Sequence, residues 1–198
     1  MHETETAVAE QKTAEDTGSS VGMRIEKRNG SFEPVDLNKI VRAIQLHSHD
    51  LTKVDPMIVA TRTISGIYDG ATTAELDQLA IQTAASYIAT EPEYSQLAAR
   101  MLNTFIGKEV RHRDIQSFSQ SISYGHEQGL VNDHVFDFVR ANRRKLNDAI
   151  DKNRGKLFQY FGLRTVYDRY LLKDPQSRMV TEIPQYFFMR VACGLAET

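Results

Sequence analysis

Three cations gather where the chain could hold an anion. Lys27 and Arg28 stand just before Asn29-Gly30, and Lys39 falls in the first turn of the helix expected to follow. A cation in a first helical turn opposes the helix dipole, so Lys39 makes sense there if an anion sits at that helix start, where unpaired N–H groups point outward. The remaining chemistry-bearing side chains form no comparable pattern. Cys193 is the single cysteine, which excludes a disulfide framework and a CxxC zinc or redox site; beside Ala192 and Gly194 it reads as a small core residue without a redox role. His47 and His49 are spaced i, i+2, which turns their rings apart on a helix, and His112, His126 and His134 lack ligand spacing, so no metal site is expected. Neither GxxxxGK[ST] nor GxGxxG occurs, so a phosphate site has to be built from side chains rather than from a glycine cradle. Residues 140–156 (RANRRKLNDAIDKNRGK) are strongly basic, but Asp148 and Asp151 interrupt them, and the run reads as a solvated helix face.

The elements that must position these groups are legible from pattern. Residues 1–20 are rich in Glu, Thr, Ala and Ser with no aromatics, and read as a disordered tail. From Val21, alternation on both sides of Asn29-Gly30 predicts a β-hairpin closed by a type I′ turn, with Pro34 limiting the second strand to a short or edge run. Four amphipathic helices follow. Asp36 caps the first, whose inward face is Leu37, Ile40, Val41 and Ile44. Asp55-Pro56 opens the second, with a stripe of Met57, Ala60, Ile64 and Ile67, and Asp69-Gly70 ends it. Thr72 and Glu75 have capping-box spacing before the third (Leu76, Leu79, Ala80, Thr83, Tyr87), and Glu91-Pro92 opens the fourth (Tyr94, Leu97, Met101, Phe105). The hairpin and four helices should pack as one α+β unit over residues 21–110. Residues 111–198 read as helical, with an apolar run from Leu157 to Leu172 too rich for a surface and an apolar terminal helix that looks cut short. With 41% hydrophobic residues, 25% charged and a net charge of −2, the chain can form a core and is no general polyanion binder. The absence of an apolar run of ~18 residues and of a signal peptide gives the expectation of a cytoplasmic protein, not a membrane one.

The segments RIEKRNGSFEPVDLNKI (24–40), YDGATT (68–73) and YSQLAAR (94–100) resemble the ATP-cone, the regulatory nucleotide-binding domain at the N-terminus of many ribonucleotide reductase large subunits. YFGLRTVYDRYL (160–171) and TEIPQYFFMRV (181–191) are similar to the helical domain that follows the cone in class I large subunits. The resemblance implies a mainly α protein: a cone made of a β-hairpin on a four-helix bundle, then the start of an all-α domain at 111–198, without the catalytic barrel. It implies that ATP as activator or dATP as inhibitor, with magnesium, is held by Lys27, Arg28, Glu33, Pro34, Val35, Asp36, Leu37, Asn38, Lys39, Thr73 and Lys108. Some relatives carry a His four residues after the Thr matched by Thr73, where this chain has Asp77. The parent protein implied is a ribonucleoside-diphosphate reductase that works with a radical-generating small subunit, with further copies of the large subunit, and with thioredoxin or glutaredoxin. This chain would hold no catalytic residue, be inactive alone, and bind no nucleic acid directly. The other readings that residue types permit are a helical nucleic-acid-binding protein or a stand-alone nucleotide-sensing module; a zinc-ribbon regulator is excluded by the single cysteine.

Overall fold

The computed structural model describes residues 22–196; the expected tail at 1–20 lies outside them. Strands β1 (Arg24–Glu26) and β2 (Phe32–Pro34) pair antiparallel with Ile25 opposite Glu33. The connecting turn is not type I′. Gly30 N–H donates to the Lys27 carbonyl at 2.8 Å and only Gly30 has positive φ, at 81°, so Arg28 and Asn29 take the right-handed side and the glycine alone absorbs the reversal, as in a type I turn followed by a bulge. This wider loop carries Lys27 and Arg28.

Helices α1 (Leu37–Ser48), α2 (Pro56–Ser65), α3 (Thr73–Ser86) and α4 (Tyr94–His112) follow. The caps are local and match the sequence patterns. Asp36 accepts from Lys39 N–H, Asp55 accepts from Met57 N–H ahead of Pro56, and Thr72 and Glu75 form a reciprocal capping box. Two inward faces differ from the periodicity. Helix α2 buries Val59, Ala60 and Thr63 and leaves Met57 exposed, because it is wedged between α1 and α3 rather than lying on one partner; it ends at Ser65 with Gly66, before Asp69-Gly70. In α1, Leu37 is exposed and Ile44 is the buried anchor. Helix α4 starts at Tyr94, two residues beyond Pro92, and is the spine of the molecule: Leu97, Ala98, Ala99, Leu102 and Ile106 are fully buried.

The hairpin is tied to the α2–α3 loop. Glu26 N–H donates to the Ala71 carbonyl at 3.0 Å, Gly70 N–H to the Arg24 carbonyl at 2.8 Å, and Arg24 N–H to Asp69 Oδ1 at 2.8 Å. Gly70, at φ 83°, makes that return possible. The hairpin loop is thereby set over the N-terminal half of α3.

Beyond α4 lie α5 (Phe118–Glu127), α6 (Asp133–Asp148), a 3-10 turn (Lys152–Leu157), α7 (Tyr160–Arg169) and α8 (Pro184–Ala196). Helix α7 packs on α4 through an edge-on contact of Phe105 with Tyr167, and one continuous apolar core runs from α1 to α8. The 157–172 run is less buried than its composition suggests. Tyr160, Leu163 and Leu171 face inward, whereas Leu157, Phe161 and Tyr170 are exposed, since the short α7 packs mainly on α4 and hides the face turned to it. Helix α8 buries Tyr186 and Cys193 and exposes Phe188, Val191 and Leu195. Arg140 and Arg154 in the basic stretch pair with Asp137 and Asp151. No helix among the described residues is long and apolar enough to cross a membrane.

Candidate functional site

The hairpin, α1, α3 and α4 enclose a cleft of about 540 Å³, within the usual size of a small-molecule site. Its floor is apolar, built from Ile25, Val35, Ile40, Ile44, Ala80 and Ile81. Its walls are charged. Lys27 and Arg28 come from the hairpin loop, Lys39 from the start of α1 and Lys108 from the end of α4, three elements whose packing sets the four cations around one space.

Two carboxylates hold them in place. Glu33 on β2 lies 2.5 Å from Lys27 Nζ and 3.5 Å from Lys39 Nζ. Asp77 on α3 lies 2.9 and 2.8 Å from Lys108 Nζ and 3.4 Å from Arg28 Nη2. The Glu33–Lys39 pair also answers why a cation stands in the first turn of α1. The Lys27 hydrogen bond holds the Glu33 carboxyl below its ordinary value. Arg28 is further fixed by lying 5.6 Å over the Phe105 ring. Paired cations of this kind cost little to re-aim at a better anion, because pairs in contact with water are individually weak. An apolar floor under a ring of cations suits a ligand with a flat organic body and several negative charges.

Of the residues that the sequence points to, Lys27, Arg28, Glu33, Val35, Asp36, Lys39, Thr73 and Lys108 line this cleft. Pro34, Leu37 and Asn38 do not; all three are exposed, Pro34 in the hairpin ladder and the other two on the outer side of the first turn of α1. The cleft also contains Asp77, His47 and His112, which local pattern did not single out as binding residues. Asp77 falls one turn into α3 after Thr73, a spacing that places both on one helix face, but its partners Lys108 and Arg28 are remote in sequence. Among the described residues, no cluster of His, Cys, Asp and Glu has the make-up of a metal site.

The family model for the ATP cone domain matches residues 23–108, which contain the whole cleft except His112, and the model for the ribonucleotide reductase all-alpha domain matches residues 156–198. The chain is 36% identical over 178 residues to a ribonucleoside-diphosphate reductase large chain of Cryptosporidium parvum, 87% of this chain and 22% of the relative. It is 37% identical over 182 residues to the large subunit of Caenorhabditis elegans, 86% of this chain and 22% of the relative. It is 34% identical over 184 residues to the large subunit of Arabidopsis thaliana, again with 87% and 22% covered. The chain thus spans about a fifth of the length of the curated relatives it matches.

Proposed function

With an ATP cone followed by a reductase all-alpha segment, the chain belongs to the ribonucleoside-diphosphate reductase large-subunit family, and on that premise we propose that its cleft binds ATP or dATP as an allosteric effector of ribonucleotide reduction. The observation that carries this is the convergence of Lys27, Arg28, Lys39 and Lys108 on one apolar-floored cleft. The four cations suit a triphosphate with its magnesium, each charged contact contributing about 1.5–3 kcal/mol. The floor suits an adenine ring, and Glu33 and Asp36 offer acceptors to its amino group. Thr73, at the first position of α3, offers a hydroxyl to ribose or phosphate.

In this reading the described residues supply regulation and the rest of a large subunit supplies the chemistry. The single thiol, Cys193, is buried in the core at 3% exposure and cannot serve as both a radical-bearing cysteine and a reducing pair. The partners follow from the same role: a radical-generating small subunit, further large subunits, and thioredoxin or glutaredoxin as reductant. ATP and dATP must favour different arrangements of the cone, since a ligand with equal affinity for two states shifts neither.

Calorimetric titration of the chain with ATP and with dATP tests the reading. Saturable binding in the micromolar range, about −8 kcal/mol, is expected for both. Folded protein that gives no saturable heat with either nucleotide at high micromolar concentration refutes it. Salt-dependent binding of DNA in place of nucleotide would favour the nucleic-acid reading instead.

A further inference from the structure

His47 lines the cleft yet takes no part in the ion pairs that hold it together. It stands in the last turn of α1, half-buried. Its backbone carbonyl accepts from Arg100 Nη1 at 2.9 Å, which fixes the end of the helix. Among the described residues its imidazole makes no hydrogen bond or ion pair. Lys108 and Arg100 from α4 and Asp77 from α3 act on it, and the cleft that it lines also holds His112 from α4, Lys27, Arg28 and Glu33 from the hairpin, Asp36 at the cap of α1 and Lys39 from its own helix. Of the three carboxylates that line the cleft, Glu33 and Asp77 are already engaged by cations and Asp36 caps α1 by accepting from Lys39 N–H.

The ring therefore has little to gain from a proton while the cleft is empty. Burial first, then the charges of Lys108 and Arg100, pull its pKa below the ordinary 6.5, with Asp77 opposing weakly. A phosphorylated ligand held by Lys108 reverses the local potential, because it brings several negative charges to the same walls.

We propose that His47 is a proton-taking contact of the nucleotide site: neutral in the empty cleft, it accepts a proton from solvent and becomes imidazolium when phosphates are seated. This rests on the reading of the cleft as an adenine-nucleotide site. Linkage then makes proton and nucleotide reinforce each other equally. The sign follows from a pKa that rises on binding. The added affinity is fully present below the pKa of the empty state and fades as pH rises through that of the bound state, about tenfold for each unit between them.

The direct test is the His47 imidazole titration followed by NMR in the full chain, free and saturated with ATP and magnesium. A rise on saturation is expected, and an unchanged titration overturns the proposal. Calorimetry in buffers of different ionisation heat, at pH 6.5 and 7.5, gives the second readout as protons taken up per nucleotide. The nucleotide's terminal phosphate titrates in the same range (pKa about 6), so the comparison is between the wild type and His47→Gln. The variant is expected to bind saturably with less uptake, and adenosine to bring no uptake. Equal uptake in wild type and His47→Gln contradicts the inference while leaving the nucleotide site standing. Absence of saturable binding to the wild type removes the site and the inference together.

Discussion

In Lys108→Ala the ammonium that lies 2.9 and 2.8 Å from the two carboxylate oxygens of Asp77 is removed. Two losses to nucleotide binding follow. The phosphates lose one charged contact, about 1.5–3 kcal/mol. Asp77 also loses its nearest cation, keeps only Arg28 at 3.4 Å, and turns an under-compensated charge toward the ligand. Repulsion of one unit charge at about 6 Å is ~3 kcal/mol at an effective dielectric of ~20 and ~0.7 kcal/mol in water, and Asp77 at 27% side-chain exposure lies between these limits. Since the remaining lysines re-aim to meet part of the loss, a weakening of about 2–4 kcal/mol is expected, about 30- to 900-fold. Folding should barely notice. The Lys108 side chain is 38% exposed, and an ion pair so placed contributes about 0–1 kcal/mol. Calorimetry for ATP beside thermal melting of the same sample separates the two quantities, and Asp77→Asn added to Lys108→Ala should restore part of the affinity. A Lys108→Ala protein that melts early yet binds ATP normally would make the lysine a structural residue and refute the reasoning.

Other perturbations bear on the scaffold. Leu97→Ala empties a fully buried position in α4 and should lower unfolding free energy by about 2–5 kcal/mol in a denaturant titration; a loss below 1 kcal/mol would mean that α4 is not the spine. Glu109 is buried on α4, and burial raises its pKa above 4.5 despite the hydrogen bond from Tyr167 at 3.3 Å. A raised folded-state pKa means that the ionised form costs stability above the ordinary value. Glu109→Gln should therefore melt higher than the wild type at pH 7, with the difference vanishing below pH 4.5. Asp50 shows the opposite sign. The Arg100 guanidinium holds its carboxyl at about 2, against 3.8 ordinarily, so its stabilisation is present above 3.8 and is lost as pH falls toward 2. In acid melts Asp50→Asn should remove that part of the pH dependence.

What was legible in the sequence is what is decided locally. Asp36, Asp55 and the Thr72–Glu75 pair cap helices because a short side chain reaches N–H groups two or three residues away, a relation that spacing records. The hairpin was equally visible, but not its turn type, since Asn-Gly permits positive φ at both positions without requiring it and only Gly30 adopts it. The inward face of α2 keeps Ala60 from the expected stripe but adds Val59 and Thr63, because an amphipathic stripe assumes one packing partner and α2 has two. The cleft followed a similar rule. Lys27, Arg28 and Lys39 lie close together in the chain, so spacing alone groups them, and the structure sets all three on one cleft. Lys108 came only from resemblance. Asp77 and His47 enter because α1, α3 and α4 converge, a tertiary outcome that no single helix encodes. The same resemblance brought in Pro34, Leu37 and Asn38, which the hairpin ladder and the outer side of α1 leave outside the cleft.

A crystal structure of the chain grown with ATP and magnesium tests the central claim most directly. The account predicts a nucleotide in the cleft between the hairpin, α1, α3 and α4, its phosphates within hydrogen-bond distance of Lys27 or Lys108 and its base on the apolar floor near Ile25 and Ile44. Nucleotide seated elsewhere, such as the roughly equal cleft of about 530 Å³ between α4 and α8 that Arg111 and Lys152 line, with the Lys27–Glu33 and Lys108–Asp77 pairs undisturbed, would contradict it.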